Sequence, residues 1–172
     1  LYGDAMKNSQ PRFPNFHVVS YYTGYVVLGT AMLMGIPLLT SVLMAEWTPA
    51  LDFTISMCVT VIAGLLMMIL GRRTHTDNLQ VDWKLGFIIA ALSWIILMFL
   101  CSIPYVLSGH TKSLLDGCFD VMSGFTTTGL VMMQDLDHLS TGLNMWRHML
   151  TFIGGQGMVV LALSFLGNHI GE

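Results

Sequence analysis

Charge is what this sequence has least of. Of its 172 residues only 10% are Asp, Glu, Lys or Arg, whereas 54% are hydrophobic. Soluble domains carry about 25% charged residues, so a soluble domain is excluded and the chain reads as an integral membrane protein. The net charge of −3 offers nothing to nucleic acid. Cysteine is scarce too: Cys58, Cys101 and Cys118 lie in or beside apolar segments without metal-ligand spacing, and read as small apolar side chains. The histidines His17, His75, His110, His138, His148 and His169 are scattered and form no His-Glu-x-x-His or similar pattern. No serine, cysteine or aspartate stands in a recognisable catalytic context. The chain is therefore not expected to be an enzyme, and no organic cofactor is expected. No cleavable signal peptide is visible, and the Thr-Gly stretch occurs once, so no internal repeat is expected within these residues. The first residue is Leu1, so a longer reading frame is expected around these residues.

What is present is a series of long apolar stretches. Residues 1–15 are polar, and Pro11 and Pro14 forbid a continuous helix across them; they read as a flank at the membrane surface. The first apolar segment runs from about Val18 to Ala45. At ~1.5 Å per residue it is roughly 40 Å long, more than the ~30 Å hydrocarbon core. It must tilt, kink or protrude, and Gly35 and Pro37 mark the expected kink. Tyr21, Tyr22, Tyr25 and Trp47 resemble interfacial anchors. A turn is expected over Glu46–Asp52, a second spanning segment over Phe53–Leu70 and a third over Leu85–Leu107. A polar stretch containing Arg72 and Arg73 separates the latter two, and Ser108-Gly109-His110 closes the third. The last segment, Trp146–Gly167, is apolar apart from Arg147, His148 and Gln156. Lys7, Arg12, Arg72, Arg73 and Lys84 fall on one side of this layout, and the positive-inside rule makes that side, with the N-terminus, cytoplasmic. The expected organisation is a flank over 1–16, a leading transmembrane pair with its cytoplasmic loop over 17–82, and a helix–loop–helix unit over 83–172.

Between the third and last segments lies a stretch that cannot span. Ser113–Ser123 is about three helical turns, too short to cross a bilayer, and its pattern sets Leu115, Cys118, Phe119 and Met122 on one face. It reads as a half-helix that stops at Gly124. Phe125-Thr126-Thr127-Thr128-Gly129-Leu130 follows, uncharged and rich in hydroxyls. Non-helical backbone at membrane depth is tolerated only where protein buries it or where it lines a water-filled path. Carbonyls left unpaired there can be satisfied by a dehydrated cation, and Gly129 permits backbone angles that other residues resist. An ordinary surface loop with turn residues is the alternative. The C-terminal end of the half-helix presents roughly half a negative charge, which favours cations. Asp116 and Asp120 either concentrate cations at the mouth or bond neighbouring helices; Asp135 and Asp137 lie in the polar loop over 134–144. Arg147 either has a functional partner in the membrane or snorkels to water. Gly154-Gly155-Gln156-Gly157 breaks the helical pattern of the last segment; its small residues allow close approach to the Thr-Gly stretch, or generic helix packing.

Asp116-Gly-Cys-Phe-Asp-Val-Met-Ser-Gly-Phe-Thr-Thr-Thr-Gly-Leu130 resembles the first pore loop of Trk/Ktr/HKT-type potassium uptake proteins. Trp146-Arg147 followed by Gly154-Gly155-Gln156-Gly157 resembles the helix after that loop, and Ser108-Gly109-His110 fits the approach to it. Asp120 stands where Glu is common. The resemblance implies an all-α integral membrane protein: two leading transmembrane helices, then one helix–pore loop–helix unit of a potassium-channel-like fold. It further implies potassium uptake through a filter in which the carbonyls of Thr126, Thr127, Thr128 and Gly129 hold the ion. Gly124, Arg147, Gly154, Gly155 and Gly157 would be pore support. The family fold places four such repeats in one chain, so this chain is expected to be a fragment, with its remaining repeats, a second copy and a cytosolic nucleotide-binding regulatory subunit as partners. Residence in the cell's inner membrane is implied as well. A small structural or accessory membrane protein that conducts no ions is the alternative.

Overall fold

The computed structural model describes residues 16–72 and 83–170, and among these every regular element is a helix. In order they are α1 (Phe16–Leu33), α2 (Gly35–Leu43), α3 (Trp47–Gly71), α4 (Trp83–Leu107), α5 (Leu114–Phe125) and α6 (Thr141–Ile170), with a 3₁₀ turn at Leu136–His138 before α6. The flank with Lys7 and Arg12, and the loop with Arg73, lie outside the described residues, as does the side chain of Lys84. Three stretches among the described residues are long and apolar enough to cross a membrane: Phe16–Leu43, Trp47–Gly71 and Leu85–Leu107. Large apolar side chains cover their outside, Met32, Leu43, Leu51, Ile62 and Ile69 among them, as contact with lipid requires.

The first segment is interrupted for one residue, Met34, beside its glycine and proline. Pro37 has no N–H to offer the Leu33 carbonyl, α1 ends at Leu33, and α2 resumes at Gly35. Met34 N–H still donates to Thr30 (3.0 Å) and Leu38 N–H to Met34 (3.2 Å), so the two helices stay joined. The turn after α2 is shorter than the expected Glu46–Asp52. Ala45 takes a left-handed φ of 58°. Ala45 N–H bonds to Val42 O and Glu46 N–H to Ser41 O, closing α2 with a Schellman motif. Pro49 then falls in the first turn of α3, where its missing N–H has no intrahelical acceptor to disappoint.

α1 lies along α3, α2 touches both α3 and α6, and α4, α5 and α6 pack on one another. Trp146 sits at the centre, fully buried. Its Nε1 donates to the Cys101 carbonyl of α4 at 3.2 Å, and its ring meets Phe53 of α3 edge-on at 6.2 Å. α6 begins at Thr141, earlier than the expected Trp146, because Glu46 caps it. That carboxylate accepts from Thr141 N–H (3.0 Å), Thr141 Oγ1 (3.0 Å) and Gly142 N–H (3.4 Å), satisfying donors a helix start leaves open. The α2–α3 turn and the start of α6 therefore share one end of the molecule. At the opposite end His17 Nδ1 lies 3.1 Å from Leu70 O, beside Arg72. α6 also runs unbroken through Gly154-Gly155-Gln156-Gly157, although these residues break the helix-forming pattern of the sequence. Glycine costs roughly 1 kcal/mol of helix propensity, which the packing of this helix on α5 overrides.

Candidate functional site

α5 starts where a cap allows it. Ser113 is extended, and its Oγ accepts from Asp116 N–H at 3.2 Å; Asp116 itself sits in the first turn, at the positive end of the helix dipole. The helix has 12 residues, roughly 18 Å at ~1.5 Å per residue and so about half of a ~30 Å core. Its buried residues are Gly117, Cys118, Asp120, Val121, Ser123 and Phe125. Of the face expected from sequence, Cys118 points inward and Met122 packs partly buried against the core, but Leu115 (75% exposed) and Phe119 (44%) point out. Size decides this: a Cβ on Gly117 would lie 3.3 Å from Ser102 Cβ, and Cys118 Sγ is 3.6 Å from Ser102 Oγ. Where α5 meets Ser102 of α4 only small residues fit, while Phe125 at its end stacks on Trp94 at 6.4 Å.

The C-terminus of α5 turns directly into the Thr-Gly stretch. Thr127 takes a left-handed φ of 54°. Its N–H bonds to Gly124 O and that of Thr128 to Ser123 O, both at 2.9 Å, a second Schellman motif. Gly129 follows at φ 79°, where a side chain strains the backbone. The hydroxyls are spent locally: Thr126 Oγ1 lies 2.8 Å from Thr128 Oγ1, and Thr127 Oγ1 donates to Thr126 O at 2.7 Å. The carbonyls of Thr127, Thr128 and Gly129 accept no hydrogen bond among the described residues. Residues 126–130 are all exposed. Such carbonyls have ligand capacity to spare.

The chain then runs back the way it came. Met132 N–H donates to Asp120 Oδ1 at 2.6 Å, and Gln134 N–H to His110 O at 3.0 Å. Residues before α5 and after the Thr-Gly stretch thus meet at one level, so α5 and its continuation form a re-entrant hairpin. Asp120 is a clamp on the return segment, a role its sequence position did not disclose. In the loop before α6 Asp135 is bonded to His138 Nδ1 at 2.7 Å, which raises the imidazole pKa above its ordinary value.

α6 backs the hairpin. A Cβ on Gly154 would overlap the Cα and carbonyl oxygen of Phe125. One on Gly124 would lie 3.2 Å from Leu150 Cβ, and one on Gly155 3.5 Å from Thr127 Cγ2; around Gly157 there is nothing within 4 Å. Arg147 is half-buried and lines a cavity of ≈ 60 Å³ behind the Thr-Gly stretch, together with Tyr105, Asp120, Ser123 and Gly129.

The family model for TrkH, cation transport protein, matches residues 51–172. The chain belongs to the TrkH family. It is 34% identical over 137 residues to the Trk system potassium uptake protein TrkI of Halomonas elongata, covering 79% of this chain and 27% of that one. It is 27% identical over 153 residues to TrkH of Escherichia coli K12, covering 88% of this chain and 31% of the relative. The crystal structure of the potassium transporter TrkH from Vibrio parahaemolyticus superposes with a TM-score of 0.77 at 26% identity, covering 89% of this chain and 32% of that one. The chain therefore spans less than a third of each of these relatives. The fold is the one the resemblance implied: an all-helical membrane architecture in which a leading helix pair precedes one helix–loop–helix unit.

Proposed function

We propose that this chain supplies the leading helices and first pore repeat of a potassium uptake protein. In this reading the carbonyls of Thr126, Thr127, Thr128 and Gly129 form one quarter of its selectivity filter. The observation that carries it is the run of exposed, unbonded carbonyls at Thr127, Thr128 and Gly129, held at the C-terminal end of a half-helix. Carbonyls replace an ion's water shell, and the helix end adds roughly half a negative charge in favour of a cation. Relatives named for potassium uptake support potassium as the transported ion. Gly124, Gly154 and Gly155 support the pore by close approach, and the open face at Gly157 receives another part of the complete protein. Residues 1–16, 17–82 and 83–172 are flank, leading pair and repeat. The complete protein is a multi-pass protein of the inner membrane, N-terminus cytoplasmic, embedded in lipid. It pairs with a second copy and a cytosolic nucleotide-binding regulatory subunit, and performs no enzymatic chemistry.

The full-length protein should restore growth of potassium-uptake-deficient cells at low potassium, and residues 1–172 alone should not. Failure of the full-length protein, present in the membrane at normal amounts, would sink the proposal. Rescue by residues 1–172 alone would show that the pore needs no further repeats.

A further inference from the structure

The cavity behind the Thr-Gly stretch holds polar groups that the filter reading does not use. Asp120 and Ser123 on its wall are only 8% and 6% exposed. Each has an oxygen without a hydrogen-bond partner: Asp120 Oδ2 and Ser123 Oγ. Leaving such an oxygen unpaired costs about 1–3 kcal/mol, and more for a charged group. The Arg147 guanidinium is near enough to act electrostatically on both Asp120 and Tyr105. Yet no ion pair or hydrogen bond joins Arg147 to Asp120 among the described residues.

The lining decides what fills this space. A bare cation meets the guanidinium, and a bare anion meets the carboxylate. Water donates to the carboxylate and accepts from the guanidinium, so it suits both. One water needs roughly 10–15 Å³ of such volume and two to four polar partners; ≈ 60 Å³ accommodates a small cluster.

We propose that ordered water bridges Arg147 to Asp120 Oδ2 and Ser123 Oγ, and that Arg147 acts through it as a positioning residue for the filter. The route is short. Asp120 Oδ1 holds Met132 N–H at 2.6 Å, and Met132 follows Gly129 closely in the chain. With Oδ2 anchored, Oδ1 stays aimed at Met132 and the return segment stays fixed. Without the anchor the carboxylate turns, and the Gly129 carbonyl loses its register. The consequence for selectivity rests on the filter reading above; the water itself does not.

Two measurements on the full-length protein test this. A density map fine enough to show water should contain it within hydrogen-bond distance of Asp120 Oδ2 and Ser123 Oγ. An empty cavity, or a direct Arg147–Asp120 pair without water, overturns the proposal. In vesicles holding equal amounts of inserted protein, Asp120→Asn and Arg147→Gln should each lower the rubidium-to-sodium uptake ratio roughly threefold or more, in the range coupled neighbours show. The double variant should be no worse than the worse single one. Asp120→Glu keeps the charge and reaches further into the cavity, so it should hold the wild-type ratio. Multiplying losses in the double variant, or a collapsed ratio in Asp120→Glu, overturn the coupling. If a variant fails to insert, the map still decides. Wild-type protein that takes up no rubidium would strike the potassium reading and leave the water cluster to the map.

Discussion

Gly24 of α1 and Gly154 of α6 are both positions where a side chain would strike a neighbouring backbone, but the neighbours differ in kind. A Cβ at Gly24 would come within 2.9 Å of Gly64 O and 3.0 Å of Met68 N, both inside the long helix α3. A Cβ at Gly154 would overlap Phe125, the last residue of α5, two positions before the left-handed turn at Thr127. The first contact sets the spacing of two rigid rods, and a small shift there is absorbed by the rods moving as wholes. The second sets where a short helix ends, and a shift there passes straight into the exposed carbonyls. The leading pair and the pore unit thus use the same device, one for cohesion and the other for placement.

Gly154→Ala is the sharpest way to break the comparison. Its methyl has backbone on one side and helix on the other, with no flexible side chain to yield. We expect full-length protein that still inserts but loses rubidium uptake by roughly tenfold or more, since displacements near 1 Å from a reacting or binding geometry cost on that order or above. Uptake at the wild-type rate would show that Phe125 gives way without disturbing Thr126–Gly129. Next in size is Gly129→Ser. There is open space around a Cβ at Gly129, so the cost comes from the φ of 79° and not from a clash. The rubidium-to-sodium ratio should fall several-fold, by analogy with the roughly 1–3 kcal/mol of a residue held in a sparsely populated conformation. Thr127→Ser keeps the carbonyl and the hydroxyl and should change the ratio less. An unchanged ratio for Gly129→Ser would remove this residue from the proposed selective path.

The contrast also explains what sequence alone reveals. Length and hydropathy mark α1 to α4 because a bilayer imposes both, and Pro37 marks the break between α1 and α2 because its ring removes a specific hydrogen bond. The half-helix shows itself by being too short to cross. Its inner face does not, because counting apolar residues groups Leu115 and Phe119 with Cys118, while the packing against Ser102 selects small residues. The start of α6 is hidden for another reason: its cap, Glu46, is 95 residues away in the chain. The turns at Ala45 and Thr127 are hidden because each places a residue other than glycine in the left-handed position that usually signals a helix end. Within the candidate site, the Thr-Gly run stands out as a break between apolar segments. The clamp from Asp120 to Met132 does not, because nothing local announces which backbone a buried carboxylate will hold.

On the cohesion side, Gly24→Ala should cost stability and spare selectivity. Forcing a methyl between α1 and α3 is overpacking, worth typically about 1–3 kcal/mol. The detergent-solubilised protein should melt at a lower temperature while the rubidium-to-sodium ratio in vesicles stays at the wild-type value. A changed ratio would mean that the leading pair also helps to place the Thr-Gly stretch.

Glu46 should give the smallest effect and is the most informative about where the two regions meet. It belongs to the turn of the leading helices but caps α6, the helix that carries Gly154. Glu46→Ala leaves two N–H groups and a hydroxyl without their acceptor. Loss of a cap costs typically ~1 kcal/mol, less than the overpacking at Gly24, because water reaches this exposed site and replaces part of what is lost. Glu46→Gln keeps an oxygen acceptor and removes only the charge at the positive end of α6, so its fall in melting temperature should be smaller again. Both variants should leave the uptake ratio alone, since several helical turns of α6, anchored by the buried Leu143, Trp146 and Leu150, separate the cap from Gly154. If Glu46→Ala instead lowers the ratio at normal amounts of inserted protein, α6 transmits displacement along its length, and the division between a cohesive pair and a placing unit gives way to one coupled frame.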